Sequence, residues 1–376
     1  MKYAVLTLSG SYHEGPAQLT AFPRAGGSGR FRFDTFLVGV ERILSQRAIR
    51  RVLVECRADF APRLYGGAEA VREQLGRLSH AGKEVWFYAK EYDYLRLYLA
   101  SACTHRAIHP LGTLTFLGTA RPFIFYKNAL DKNKIDSRVI RRGKYKSAGD
   151  SFTEEALNDA NVEQHSAYLA EVDREIQEAV EAGFTKSGAD LKDLSNGTML
   201  TASAAKDEGW IDQVATIDTL RESWQREKWK KRSLKKLKRR FGKGRKRLAV
   251  LLFEGAIIDG ESKRHPLLGE SVGDASFLEE IEKVTKNRKV VGVVLRINSG
   301  GGSATASEEI LAALSRLAEK KPLVVSMSEF AGSGGYWIAL KGERIFAHRT
   351  TLTDYIGVPT LALNLEKFLK RHGVTS

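Results

Sequence analysis

The sequence predicts an α/β protein in which one architectural unit occurs twice, and three observations carry that expectation. Short apolar runs of strand length are almost continuously hydrophobic, as parallel strands covered on both faces are. Amphipathic stretches of helical period alternate with them. The series then recurs in the same order about 240 residues further along the chain.

The elements can be taken in turn. Lys2-Tyr-Ala-Val-Leu-Thr-Leu-Ser-Gly10 is echoed by Arg247-Leu-Ala-Val-Leu-Leu-Phe-Glu-Gly255, each a short apolar strand ending at a glycine. An amphipathic helix around Phe36 to Leu44 answers one around Phe277 to Val284. The strands Val52 to Val54 and Val290 to Leu295 follow. Gly82 to Tyr88 then matches Lys320 to Ser326, and Gly112 to Thr115 matches Thr350 to Thr353. The offset drifts only from 245 to 238, as small loop insertions produce. Copy one continues past this point with Lys146, a long amphipathic helix from about Glu154 to Ala182, and a closing segment from Thr201 to Val214. Copy two stops at Ser376, roughly 85 residues short of its counterpart, so a fragment or a shortened gene is expected.

A chain of 376 residues exceeds one ordinary core. The repeat divides it into residues 1–220, a basic linker at 221–246, and a second domain at 247–376. The net charge of +15 sits mostly in that linker. From Arg221 to Arg247 there are 15 Lys or Arg against Glu222 and Glu227, which leaves the rest nearly neutral. This pattern argues against a nucleic-acid-binding domain and for one basic segment with a local job. Leu234, Leu237 and Phe241 share one helical face there, with Trp224 and Trp229 off it. Two readings stand side by side: a helix lying on an anionic membrane surface, or a solvated helix between domains.

At 43% hydrophobic and 28% charged, the composition is that of a folded globular protein. The apolar run after Met1 is too short for a signal-peptide core, and nothing reaches the roughly 18 consecutive apolar residues of a membrane span. A cytoplasmic or peripheral membrane location is therefore expected. Cys56 and Cys103 read as incidental reduced thiols. The absence of CxxC and HExxH patterns leaves neither a metal nor a cofactor expected.

Copy two carries two glycine-rich turns that copy one lacks. In Arg296-Ile-Asn-Ser-Gly-Gly-Gly-Ser303, successive glycines let backbone N–H groups converge on an anion at the head of a helix. That suits an oxyanion hole, and equally a plain strand-to-helix turn. In Phe330-Ala-Gly-Ser-Gly-Gly-Tyr-Trp337, Ser333 sits where a strand turns sharply into a helix, exposed as a nucleophile would be. It could also merely cap that helix. Leu95 lies near the matching position of copy one, which suggests that a cap is dispensable there. A nucleophilic serine needs a base. His348, placed on a strand, and His265, in a loop, are poorly located in sequence. A lysine can serve when burial or a neighbouring cation lowers its pKa. Arg142-Gly-Lys-Tyr-Lys-Ser-Ala148 is suggestive, although 60 basic residues leave the choice open on chemistry alone.

These residues together resemble the signal peptide peptidase A family in its long, tandem form. That family has two ClpP/crotonase-like (ββα spiral) domains, with a lysine in the first and a serine in the second. Its lysine motif, Gly-x-Tyr-Lys-Ser-Ala, matches Gly143-Lys-Tyr-Lys-Ser-Ala148 and selects Lys146 rather than Lys144 as the base. Its serine motif matches Ala331-Gly-Ser-Gly-Gly-Tyr336, and its oxyanion turn matches Asn298-Ser-Gly-Gly-Gly-Ser303. The resemblance implies that Ser333 is the nucleophile and that Gly301 or Gly302, with Gly334, holds the oxyanion. It also implies cleaved signal peptides and other extended apolar peptides as substrates, no cofactor, a homo-oligomer (a tetramer by resemblance) and a membrane-associated setting. Arg296, Ala306-Ser-Glu308 and Gly209-Trp-Ile-Asp212 agree with it. Three departures accompany these matches. Gly300 replaces a proline, Tyr355 in Thr353-Asp-Tyr-Ile-Gly357 replaces a serine expected near the dyad, and the family's N-terminal anchor is not seen.

Other functions are weighed against this one. A ClpP-type Ser-His-Asp peptidase should carry a histidine where this chain has Val358. A crotonase-like acyl-CoA enzyme would use the oxyanion hole without the serine. A catalytically inactive scaffold at a membrane surface is the non-enzyme alternative.

Overall fold

The computed structural model of the protein describes residues 1–16, 29–184, 189–194, 197–234, 246–265 and 269–375. Two parallel sheets form its centre. In the first, the strands run in the order Gln213–Val214, His105–Ile108, Glu84–Ala89, Ile49–Cys56, Lys2–Leu8 and Lys230–Lys231. In the second the order is Arg247–Glu254, Val290–Ser299, Leu323–Gly332 and Arg344–Phe346, with Leu352–Asp354 paired to the far end of Leu323–Gly332. The central strands cross over in the same way in both. Ala4 faces Val52 as Ala249 faces Val293, and Val52 faces Val85 as Val293 faces Leu323. These are the apolar runs that the periodicity marks; helices bury most of their side chains, but on the edge strand Arg247–Glu254 Leu248 and Val250 remain exposed.

The crossover helices follow from their spacing. In Tyr65–His80, Ala68, Val71, Leu75 and Leu78 are buried at intervals of three and four residues, an inward stripe, and the first turns, Gly66 to Val71, are buried all round. In Ala304–Ala318 the same stripe is Ala306, Ile310, Ala313, Leu314 and Leu317, and the Ser303 hydroxyl caps the helix by accepting from the Ala306 amide at 3.2 Å. Helix Phe33–Leu44 and helix Asp274–Lys286 occupy matching places after the first strands. The long helix runs over Asp159–Phe184, with a separate short helix at Asp150–Thr153 before it.

The segment expected to open a basic linker at Arg221 instead belongs to the first sheet. Helix Ile217–Arg226 lays Leu220 and Trp224 on the outer sheet face, against Tyr3, Leu53 and Tyr88, and Trp229 joins the same cluster. Lys230–Lys231 then adds an edge strand beside Lys2 and Tyr3. The two tryptophans that fall off the imagined basic face are therefore core residues. Leu234 packs against the first core, and its carbonyl accepts from Arg42 at 3.1 Å. Leu237 and Phe241, the remainder of that face, lie outside the described residues. No helix among the described residues is long and apolar enough to cross a membrane.

The sheets are joined through buried polar contacts. The Arg296 guanidinium, on the second sheet, donates to both carboxylate oxygens of Glu14, at 3.0 and 3.1 Å, and to Ser326 and Ser328. Tyr12 donates to the same Glu14 carboxylate at 2.9 Å. Further along, Asp136–Ile140 from the first part pairs antiparallel with Thr360–Asn364 from the second. Chain segments more than 200 residues apart thus share one small sheet beside the lysine loop.

Candidate active site

Ser333 stands at the end of strand Leu323–Gly332, directly before helix Gly334–Ala339. Its backbone adopts φ 52° and ψ −119°, a region that a β-carbon disfavours. Its hydroxyl makes no capping bond to the helix it precedes. By strand register the matching residue in the first sheet is Leu95, since Tyr92 bridges Leu114 as Phe330 pairs with Leu352, but the helix there begins two residues earlier and Asp93 caps it: its carboxylate accepts from the Arg96 amide at 2.8 Å. A cap is thus present at this junction in the first sheet, and Ser333 departs from it in both backbone and side chain.

The glycine turn lies against this serine. A β-carbon on Gly301 would fall 2.5 Å from the Gly334 nitrogen and 2.9 Å from the Ser333 β-carbon, so only glycine fits. Gly301 itself has φ +88°, which glycine alone adopts without strain. Its amide already donates to the Ser299 hydroxyl at 3.1 Å. Gly302 is held by Ile257, whose amide donates to the Gly301 carbonyl at 3.0 Å and whose carbonyl accepts from Ser303 at 2.9 Å. Gly335 packs so closely on the Ser299 carbonyl that a β-carbon there would come within 2.5 Å. Two turns that are separate in sequence are therefore locked backbone to backbone.

Lys146 arrives from the other part of the chain. Strand Leu352–Asp354 pairs with Leu323–Gly332 so that Asp354 lies opposite Gly332, the residue before Ser333. The next carbonyl, that of Tyr355, accepts a hydrogen bond from Lys146 Nζ. The lysine is 4% exposed, which sets it apart from the solvated majority of its kind. Its loop is anchored by Arg141, which donates to the Lys146 carbonyl at 3.1 Å and pairs with the buried Asp150 carboxylate. Asp150 also accepts from Asn158 and Asn161 at 3.1 and 2.8 Å. Lys144 is exposed and pairs with Glu163.

Beside the lysine loop is a cavity of about 280 Å³. Phe123, Phe125, Leu157, Phe330 and Leu352 supply its apolar lining, while Arg121, Gln164 and His165 supply polar groups. His165 packs at a tilt against Phe123, with ring centroids 4.6 Å apart, and burial lowers its pKa. Neither the 121–125 segment nor His165 carries a motif, and they come together only in this cavity.

One further buried group lies on the serine strand, four residues before Ser333. Glu329 is 1% exposed, and burial pushes its carboxyl up to about 7 against the hydrogen bonds from Leu64 and Asn298. Its carboxylate accepts from the Leu64 amide at 2.8 Å, at the start of helix Tyr65–His80, whose own first residue offers no side-chain cap. A second carboxylate, Glu69, sits at the same contact. Burial alone would raise its pKa, but hydrogen bonds from His348 and Thr350 outweigh it and bring it to about 2.

The other candidates lie elsewhere in the fold. His348 sits in a loop after strand Arg344–Phe346, near Glu69 and Glu73, while His265 ends strand Lys263–His265. Cys56 and Cys103 are buried, and burial pushes both thiols up to about 12, out of nucleophilic range. Among the described residues, two His/Glu groups bring metal-ligand atoms together, His13 with Glu254 and Glu270, and His348 with Glu69 and Glu73. Their oxygens already serve donors: Glu270 takes Arg30 at 2.6 Å, Glu254 takes His13 and the Glu14 amide, and Glu69 takes Thr350.

Comparison with known proteins gives these residues a context. The model of peptidase family S49 matches residues 77–231 and 315–376. A protein named protease 4 from Salmonella typhi is 31% identical over 81% of this chain and 52% of its own length. One named serine protease SPPA, chloroplastic, from Arabidopsis thaliana is 28% identical over 82% of this chain and 47% of its own. A protease 4 from Haemophilus influenzae is 30% identical over 80% and 52% respectively. The chain spans about half the length of these curated relatives.

Proposed function

The chain belongs to peptidase family S49, and on that premise we propose that it hydrolyses peptide bonds with Ser333 as nucleophile and Lys146 as general base. The observation that carries the reading is the convergence on one short strand pair. Ser333 follows Gly332, Gly332 lies opposite Asp354, and Lys146 Nζ is bonded at the next residue, Tyr355. The finer fold description adopted with it is of two tandem ClpP/crotonase-like domains, supported by the same order of crossovers in the two sheets.

In this mechanism the Ser333 hydroxyl oxygen attacks the scissile carbonyl carbon while its proton passes to neutral Lys146. The carbonyl oxygen becomes an oxyanion held by backbone amides. Gly334 supplies one, as the residue after the nucleophile. Gly302 supplies the other, because the Gly301 amide is already committed to Ser299. The lysine then returns the proton to the leaving amine, and an acyl-enzyme remains. Water deprotonated by the same lysine hydrolyses that ester and regenerates Ser333.

The proposed substrates are extended apolar peptides, cleaved signal peptides among them. The aromatic and aliphatic lining of the cavity near Phe330 and Leu352 suits a large apolar side chain. Cleavage of a fluorogenic apolar peptide tests the assignment, with Ser333→Ala and Lys146→Ala each expected to abolish it. Turnover surviving either change removes that residue from the mechanism.

A further inference from the structure

We propose that Tyr355 is the positioning residue of the lysine, holding the Lys146 ammonium between its own main-chain carbonyl and the face of its ring. The amino group then gives up its proton at a higher pH than it would beside an aliphatic side chain. The functional consequence rests on Lys146 being the base, whereas the contact itself does not.

Three features of Tyr355 point the same way. Its carbonyl accepts from Lys146 Nζ, and that Nζ also lies 4.1 Å from the centroid of its ring. A ring face attracts an ammonium through its quadrupole and offers nothing comparable to a neutral amine. A carbonyl acceptor likewise favours the charged donor. The backbone of Tyr355 has φ 62°, a left-handed conformation that is unusual for an aromatic residue. Something must hold it there, and the phenol does so by hydrogen-bonding the Ser147 hydroxyl at 3.0 Å.

Ser147 is the residue after the lysine, so Tyr355 grips the lysine loop at two adjacent positions. The grip extends into the long helix. Gln164 donates to Ser147 at 3.0 Å and to Asn161 at 2.9 Å, and Asn161 donates to Asp150. Several charged groups described near the loop are already matched or lie to one side. Asp150 is paired with Arg141, Lys144 with Glu163, and Arg121 and His165 line the adjoining cavity. The ring of Tyr355 is a replaceable element that favours the ammonium.

The test is a direct titration. Lysine side chains of the full chain are labelled with ¹³C and ¹⁵N and followed by NMR, with the Lys146 signal assigned by its loss in Lys146→Arg. Replacing the ring in Tyr355→Leu should lower the Lys146 half-titration pH by about one unit. Tyr355→Phe, which keeps the ring and loses the hydroxyl, should stay near the parent value. If the Leu variant does not fold, Tyr355→Ser provides the ring-free comparison. Equal half-titration points for the ring-free and ring-bearing variants, or a rise on removing the ring, overturn the proposal. In peptide cleavage, the rise of kcat/KM with pH should move by the same amount in the same variants. Activity surviving Lys146→Ala would sink the base assignment and leave the titration result standing.

Discussion

Asp93 and Ser333 each stand immediately before the helix that follows a central strand, and the contrast between them is the clearest residue-level sign of chemistry. Asp93 has extended backbone and caps its helix, while Ser333 holds a positive φ and leaves the helix uncapped. A structural serine would adopt the relaxed conformation, so the strain at the half-buried Ser333 suits a residue held in place for reaction. Gly301 shows the same constraint from the opposite side. In Gly301→Ala the new methyl meets the Gly334 amide, one of the proposed oxyanion donors, so kcat should fall at least ~10²-fold. Its melting temperature should fall too, and a variant with unchanged kcat would remove the turn from the oxyanion hole. Both glycines and the serine stand out in the sequence because copy one lacks their motifs. Tyr355 stands out there only as a departure from a family pattern. Its grip on the lysine loop spans 209 residues, and no local pattern encodes a contact at that distance.

At the scale of elements, helix Tyr65–His80 and strand Leu323–Gly332 depend on one another. The helix brings no acidic residue to its first turn and no cap of its own, and Glu329 from the strand provides both. Gly66 and Gly67 make this possible, since a β-carbon on Gly66 would lie 2.8 Å from the Ser328 carbonyl. The cost is a carboxylate buried between two sheets, with a consequence for pH. Folding raises the Glu329 pKa from 4.5 to about 7, so the folded state binds its proton more tightly. The resulting stabilisation is complete below about 4.5 and is lost as pH rises through 7, by about 3 kcal/mol. Glu69 behaves oppositely: its pKa of about 2 stabilises the fold above 4.5 and ceases to do so as pH falls toward 2. Urea unfolding between pH 5 and 8 should therefore show stability declining with pH in the parent and a flatter course in Glu329→Gln. Identical slopes would contradict the assignment. The strands and helices themselves are legible in the sequence, since burial on both faces writes a continuous apolar run and burial on one face writes a stripe. Trp224 and Trp229 are not, because a helical-face reading of a basic stretch cannot show that a sheet lies beneath it.

For the molecule as a whole, the decisive fact is that neither sheet carries the proposed chemistry alone. The serine and glycine turns belong to the second, while the lysine loop and long helix follow the first. Arg296 and Glu14 help fix the two together in a buried, fully hydrogen-bonded pair. Arg296→Met strands the Glu14 carboxylate and should cost about 3–5 kcal/mol, whereas adding Glu14→Met should restore most of it. A double-mutant cycle by denaturant unfolding measures this, and single variants within 1 kcal/mol of the parent would show that the pair does not clamp the halves. The repeat makes the two-part plan legible, and the motifs mark Ser333 and Lys146. The bond from Lys146 to Tyr355, one residue beyond the Asp354–Gly332 pair, depends on long-range pairing that sequence spacing does not express. The most direct test of the proposed Ser333–Lys146 dyad is covalent. A fluorophosphonate probe, followed by peptide mapping, should mark Ser333 alone in the parent chain and leave it unmarked in Lys146→Ala. Labelling of Ser333 at the parental rate without the lysine, or of another residue in the parent, would contradict the account.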